Sequence, residues 1–128
     1  MVRNYIQKAY PEIVQLIKDT KLYFETKSYI FVHAGFNPEL RNWKNSTEKD
    51  YLWIRNPFIY RKNETGKIAI FGHTNTHLLH DDEDNNDVWI DPWKSKVGID
   101  GGAGNGRKLN GVVLYEDGDL KRMKAFQV

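Results

Sequence analysis

The sequence predicts an α+β fold with a mostly antiparallel β-sheet and one or two helices on one face. Short runs of β-branched and aromatic residues recur along the chain and end at small or turn-forming residues, a pattern typical of strands. These runs are residues 21–26, 29–33, 67–71, 88–90, 97–99 and 109–115. The 128 residues are enough to enclose one hydrophobic core, and no repeat or shift in composition divides them. A single domain over residues 1–128 is therefore expected.

Helix signals occur in two places. Residues 1–10 are a mixed polar start, and Pro11 then suits the first position of a helix. An apolar stripe follows it up to about Thr20, at Ile13, Leu16 and Ile17. Farther along, Thr47 and Asp50 have the spacing of a capping box, which predicts a short helix over the residues that follow.

Two hairpins are expected. Residues 21–26 and 29–33 are strand-like runs separated by two residues, which favours an antiparallel pair. Near the end of the chain, Asp117 and Gly118 form a strong turn signal leading into residues 120–126.

Composition excludes several classes of protein. Hydrophobic residues make up 40% of the chain and aromatic residues 13%, which argues against disorder despite 28% charged residues. The formal charge of +2 is spread over interleaved acidic and basic residues, so a nucleic-acid partner is not expected. There is no cysteine to form a disulfide or a thiolate metal site. No apolar stretch approaches the roughly 18 residues that span a bilayer, and residues 1–4 begin no secretory signal, so a cytoplasmic protein without a membrane partner is predicted.

Two histidines each follow a short apolar run and precede small residues. His33 lies in residues 29–35 (YIFVHAG), and His73 lies in residues 67–74 (KIAIFGHT). If the two runs are neighbouring strands, their ends deliver both imidazoles to one place, where they can act as metal ligands or as a general base. A histidine at the end of a strand is often only a hydrogen-bonded structural residue, but the pair is harder to explain in that way.

A second histidine cluster offers an alternative metal site. His73, His77 and His80 are spaced by four and three residues, and a helical turn with this spacing can bind zinc by itself. Only His73 ends a strong strand, however, and the other two enter a polar loop that continues into the acidic run of residues 81–87.

The glycine-rich residues 99–107 (IDGGAGNGR) suggest a phosphate-binding loop, but they lack the Gly-Lys-Ser/Thr ending of a nucleotide P-loop. A tight turn that passes another backbone is the simpler interpretation, with Asp100 accepting hydrogen bonds from loop amides. Arg55 follows an apolar helical turn, and it is either a salt-bridge partner or an anion clamp.

Four motifs in order resemble the C-terminal half of the calcineurin-like metallophosphoesterases. They are residues 31–38 (FVHAGFNP), 52–55 (LWIR), 71–74 (FGHT) and 98–103 (GIDGGA). The resemblance extends over roughly residues 22–121 and is strongest to the bacterial serine/threonine phosphatase group, which includes symmetrical dinucleoside tetraphosphatases. In that family the sheet is one layer of an αββα sandwich.

The resemblance implies a function and assigns residues to it. Family members hydrolyse phosphate esters of proteins or dinucleoside polyphosphates with water activated by two divalent metal ions, commonly manganese, iron or zinc. By this likeness His33 and His73 are ligands of the second metal, and Arg55 binds phosphate.

The family's N-terminal motifs are absent from these residues. Gly-Asp-x-His-Gly, Gly-Asp-x-x-Asp-Arg and Gly-Asn-His-Glu, which supply the first metal site, the bridging aspartate and the catalytic histidine acid, do not occur. A two-metal mechanism requires both ions about 3.5–4 Å apart. No complete catalytic set is therefore expected, and the segment should be inactive alone. The alternatives are a non-catalytic module that binds a partner or an anion, and a small zinc-binding domain on His73, His77 and His80.

A missing half would also leave one face of the sheet bare. Ile30, Val32, Ile68 and Ile70 are expected on this apolar face. Soluble monomers rarely expose a large apolar patch. We therefore expect either a homodimer whose sheets face each other or a helix from the first twenty residues folded over the face.

Overall fold

Over residues 2–128, the part of the chain that the computed structural model describes, the protein forms four α-helices and seven β-strands; the side chains of Val2 and Arg3 are outside this description. The helices are α1 (Val2–Ala9), α2 (Pro11–Asp19), α3 (Glu48–Trp53) and α4 (Thr76–His80). The strands are β1 (Tyr23–Glu25), β2 (Tyr29–Val32), β3 (Ile68–Phe71), β4 (Trp89–Ile90), β5 (Lys96–Gly98), β6 (Asn110–Val113) and β7 (Lys124–Gln127). The α+β class is confirmed.

Five strands form a mixed sheet in the order β1-β2-β3-β5-β4, and β6 and β7 form a separate antiparallel pair. The outer pairings of the five-stranded sheet are antiparallel, whereas β2, β3 and β5 run parallel in its centre. This parallel centre was not predicted from the sequence. Parallel neighbours need a long crossover, and the stretch between β2 and β3, which includes α3, provides it.

Both expected hairpins are present. β1 pairs with β2 in antiparallel register, with Phe24 opposite Phe31. β6 pairs with β7, and the connection between them holds the turn at Gly118 (φ +74°) and a short 3₁₀ helix at Leu120–Arg122.

The register of β2 against β3 separates the apolar residues of the two strands into two faces. Ile30 and Val32 of β2 are opposite Ala69 and Phe71 of β3, so Ile68 and Ile70 lie on the other face of the sheet. The expectation that Ile30, Val32, Ile68 and Ile70 share one face is therefore wrong. In this parallel register, Ile30 and Val32 lie on one face of the sheet, and Ile68 and Ile70 lie on the opposite face.

The first face carries the larger core. Ile30, Val32, Ala69 and Phe71 pack there beneath α3 and the loop that follows it. The residues they meet from those segments are Tyr51, Phe58 and Ile59, together with Phe36 from the loop after β2. The second face is covered only in part, around Tyr29, Ile70 and Val97, by side chains of the β6–β7 region.

The first two helices leave the second face bare. Pro11 starts α2 as predicted, whereas α1 occupies the part for which no element was expected. No described residue of α2 is buried, and the apolar stripe is open to solvent, with Ile13, Leu16 and Ile17 exposed by 54%, 70% and 67%. The helices thus do not fold over the sheet. No helix among residues 2–128 combines the length and the apolar character needed to cross a bilayer.

Candidate metal centre

The two histidines of the apolar runs lie side by side at the ends of adjacent parallel strands. His33 follows β2 directly, and His73 follows β3 after Gly72, whose N–H donates to the His33 carbonyl at 2.8 Å. The ring centroids of His33 and His73 are 5.1 Å apart, with 56° between the ring planes. The structure thus brings both imidazoles to one edge of the sheet, where ligand sites of parallel sheets commonly lie.

Gly35, two residues after His33, is required because two side chains closely approach its backbone. A Cβ atom on Gly35 would lie 2.6 Å from Cδ1 of Phe58 and 2.8 Å from Cγ2 of Ile54, and the backbone has φ +152°. The same loop is also hydrogen-bonded to α3, because the Ala34 N–H donates to the Tyr51 carbonyl at 2.9 Å. These contacts fix the loop that carries His33 against α3.

His73 has an uncommon backbone conformation and a ring nitrogen without a hydrogen-bond partner among the described residues. Its φ of +64° is in the left-handed region, which is uncommon for residues other than glycine and often marks a functional site. The ring lies edge-to-face against Trp53 with centroids 5.5 Å apart. Its Nε2 atom is buried and has no hydrogen-bond partner among the described residues. An imidazole nitrogen without a protein partner is free to coordinate a metal ion.

The surroundings keep the His73 imidazole neutral. Burial lowers its pKa below the ordinary value of 6.5, and the charges of Arg55 and His33 lower it further. Asp100 and the Trp53 backbone act in the opposite direction. A neutral imidazole is the form that coordinates a metal ion.

Arg55 extends the site toward solvent. It follows α3, which the predicted capping box begins: the Asp50 N–H donates to the Thr47 hydroxyl at 3.2 Å, and the Thr47 N–H donates to the Asp50 carboxylate at 2.8 Å. Arg55 is exposed, and its Nη2 atom is 3.5 Å from the His73 carbonyl oxygen. No carboxylate of the described residues forms a salt bridge with it. The described residues therefore offer no carboxylate partner for the salt-bridge interpretation of Arg55.

The glycine-rich loop behaves as a tight turn. The Asp100 carboxylate accepts a hydrogen bond from the Gly102 N–H at 3.0 Å, as expected. A Cβ atom on Gly101 would lie 2.4 Å from the Lys108 carbonyl oxygen, so only glycine fits where the two backbones meet.

The alternative zinc site is not assembled. The Nε2 atom of His77 is 3.7 Å from a Glu83 carboxylate oxygen, whereas Nε2 of His80 is 3.2 Å from the Asp87 carbonyl oxygen. Within residues 2–128 no three histidine, aspartate or glutamate side chains are placed to hold a metal ion together. The structure gives a self-contained site on His73, His77 and His80 no support.

Two contributions to the surrounding structure were not predicted from the sequence. Trp53 packs against the His73 ring, and the available signal was its position two residues before Arg55 in the LWIR motif. Lys96 of β5 is fully buried, and its ammonium is 3.8 Å from the Asp91 carboxylate. It donates to three carbonyls of the segment just after Arg55, those of Phe58, Ile59 and Arg61. Burial lowers the pKa of Lys96, and Asp91 opposes this change.

Comparison with known proteins gives no relative: no family model matches the chain, and no curated protein or solved structure is significantly similar to it. The likeness to metallophosphoesterases therefore rests on the four sequence motifs, three of which meet in space at His33, Arg55 and His73.

Proposed function

We propose that this chain is the C-terminal half of a cytoplasmic, metal-dependent phosphoesterase of the calcineurin-like group. The observation that carries the proposal is the pair of imidazoles at the ends of β2 and β3, with ring centroids 5.1 Å apart and the Nε2 atom of His73 buried and bare. The substrate class is a phosphate ester, either on a protein or in a dinucleoside polyphosphate.

Each residue has a separate task in this proposal. His33 and His73 bind the second of two divalent metal ions; the Trp53 ring packs edge-to-face on His73, whose Nε2 has no hydrogen-bond partner among the described residues. Arg55 binds the phosphoryl oxygens, for which its planar guanidinium is well suited. The metal pair, when bound, supplies an activated water and neutralises charge on the phosphoryl group.

Two imidazoles are too few ligands for a tight metal site. The bridging carboxylate and the other ligands must come from a segment outside these residues, either in the same polypeptide or in a second one. The chain alone should then bind metal weakly and should not hydrolyse phosphate esters.

The test is an assay of the purified chain with p-nitrophenyl phosphate in the presence of manganese, zinc or magnesium. We expect no turnover above the rate without protein. Turnover that persists through repurification and disappears in the His33→Ala variant would contradict the proposal that this chain carries only part of an active site.

A non-catalytic anion-binding module is the second candidate, favoured by the exposed guanidinium of Arg55 without a carboxylate partner. The two candidates differ when the chain is joined to a segment bearing the Gly-Asp-x-His-Gly motif. A phosphoesterase then hydrolyses the substrate with added manganese, whereas a binding module retains inorganic phosphate through Arg55 and remains inactive.

A further inference from the structure

The second face of the sheet forms an open apolar groove. It has a volume of about 690 Å³, and its lining includes Leu22, Phe24, Phe31, Ile70 and Ile99. Phe24, on the edge strand β1, is 58% exposed. The described part of the chain thus has a hydrophobic surface of the kind that marks an interaction site.

The same chain carries a helix with a matching surface. Ile13, Leu16 and Ile17 of α2 are spaced as one helical face and are each more than half exposed. An amphipathic helix normally buries such a stripe, because isolated helices of this length are marginal in water. The groove and the stripe are therefore two apolar surfaces that lack an apolar partner within residues 4–128.

The connection between α2 and β1 determines whether the helix can reach the groove of its own chain or the groove of a second copy of the chain. α2 ends at Asp19 and β1 begins at Tyr23, so only three residues separate the helix from the strand at the groove's rim. Thr20 is extended (φ −65°, ψ +131°) and directs the helix away from the sheet. A short hinge of this kind favours exchange with a second copy when folding back on the same chain would strain it.

We propose that two copies of this chain form a symmetric dimer in which α2 of each copy lies in the groove of the other. Two-fold symmetry buries every contact twice, which helps two short elements reach the roughly 1,200–2,000 Å² of a stable interface. The formal charge of +2 gives little repulsion between copies. The proposal does not depend on the metal site.

Sedimentation equilibrium at micromolar concentration tests the dimer. We expect the unmodified chain to have twice the mass of one copy, and Leu16→Lys and Phe24→Thr each to weaken association at least about tenfold. Gln15→Lys on the polar side of α2 and Val113→Thr on β6 are the controls, and both should remain dimeric. A monomer for the unmodified chain, or equal loss in the control variants with unchanged circular dichroism, would overturn the proposal.

Cross-linking tests the exchange itself, since the chain has no cysteine of its own. A mixture of Leu16→Cys and Phe24→Cys copies, one of them tagged, is treated with a flexible thiol-reactive cross-linker. We expect the mixed product to dominate, and the Leu16→Cys/Phe24→Cys double variant to give covalent dimers. A cross-link within one copy of the double variant would mean that the helix covers its own groove. Cross-links only between two Phe24→Cys copies would mean that the sheets face each other, and either result rejects the exchange.

Discussion

His73 has an imidazole whose reactivity is determined by its neighbours. Its backbone is left-handed, its ring packs edge-to-face on Trp53, and Nε2 has no described partner. A buried polar atom without a partner costs about 1–3 kcal/mol. Such an atom is tolerated where a ligand satisfies it, and His33 at a ring distance of 5.1 Å offers the second donor for the same ion.

In an active enzyme that contains these residues together with the missing ligands, His33→Ala and His73→Ala should each lower activity by more than about 100-fold and reduce the metal content. Even outer partners of metal ligands are worth about 10–100-fold, so a ligand itself should exceed this. Activity and bound metal are measured on the same preparations. His80→Ala is the control, because the His80 ring hydrogen-bonds the Asp87 carbonyl, away from the His33–His73 pair. An equal loss in His80→Ala would reject the assignment.

Arg55→Ala should keep the bound metal and lose about 10²–10³ in kcat, the usual effect of removing one preorganised donor to a developing negative charge. Arg55→Lys should recover only part of the rate, because an ammonium keeps the charge but lacks the planar fork. Kinetics close to those of the parent enzyme for Arg55→Ala would show that the guanidinium does not bind phosphate.

At the scale of elements, the loop after β2 is fixed by packing against the segment that follows α3. Gly35→Ala should destabilise the fold by about 1–3 kcal/mol, as overpacking of a core does, because the added Cβ would lie 2.6 Å from Cδ1 of Phe58. Gly104→Ala is the matched control, since nothing lies within 4 Å of its Cβ position. Urea unfolding of both variants gives the comparison, and equal free energies of unfolding would contradict the close approach.

The edge strand β1 has ion pairs to other segments through Glu25, whose carboxylate pairs with Lys44 and Lys67. The hydrogen bond with Lys44, followed by that with Lys67, lowers the pKa of Glu25 below its ordinary value of 4.5. A carboxyl with a lowered folded-state pKa stabilises the fold above its ordinary pKa, and this contribution disappears as the pH falls through the lowered value. Glu25→Gln should therefore lower the urea midpoint at neutral pH.

The difference between the unmodified chain and Glu25→Gln should shrink in acid, well below the ordinary pKa. Glu64→Gln serves as the control, since the Glu64 side chain is 76% exposed and its pair with Lys62 is solvated. A gap between the unmodified chain and Glu25→Gln that stays constant from neutral pH into acid would contradict the role of the carboxylate's charge.

Local signals in the sequence predicted most elements, and long-range pairing was harder to predict. The capping box at Thr47 and the proline at the start of α2 are determined by a few adjacent residues, and both are confirmed. The parallel pairing of β2 with β3 depends on a crossover of more than thirty residues, which no local pattern reports. An error of one residue in that register exchanges the two faces of the strand, and this is how Ile68 and Ile70 were assigned to the wrong face.

The residues of the candidate site were predicted from the sequence, but the contacts that hold the surrounding structure in place were not. The strand-ending positions of His33 and His73 were visible as motifs, because a ligand at the end of a strand leaves a signature in consecutive residues. The contact between Trp53 and His73 joins residues twenty positions apart, and the bonds from Lys96 to residues 58–61 join β5 to a loop more than thirty positions earlier. These contacts depend on the assembled fold.

At the scale of the whole molecule, one face of the sheet is packed beneath α3, and the other is bare over much of its area. The groove on the bare face reaches His33 and Gly72 at the candidate site. A helix of a second copy lying in this groove would therefore also be near the candidate site.

The central claim, that His33 and His73 together bind a divalent ion, is tested most directly by adding Mn²⁺ to the isotopically labelled chain and following its four histidine ring signals by NMR. Mn²⁺ broadens the signals of groups close to it. We expect His33 and His73 to broaden together at the lowest Mn²⁺ concentrations while His77 and His80 remain sharp, and we expect a His33→Ala/His73→Ala variant to lose the effect. Broadening centred on His77 and His80, or broadening unchanged in that variant, would contradict it.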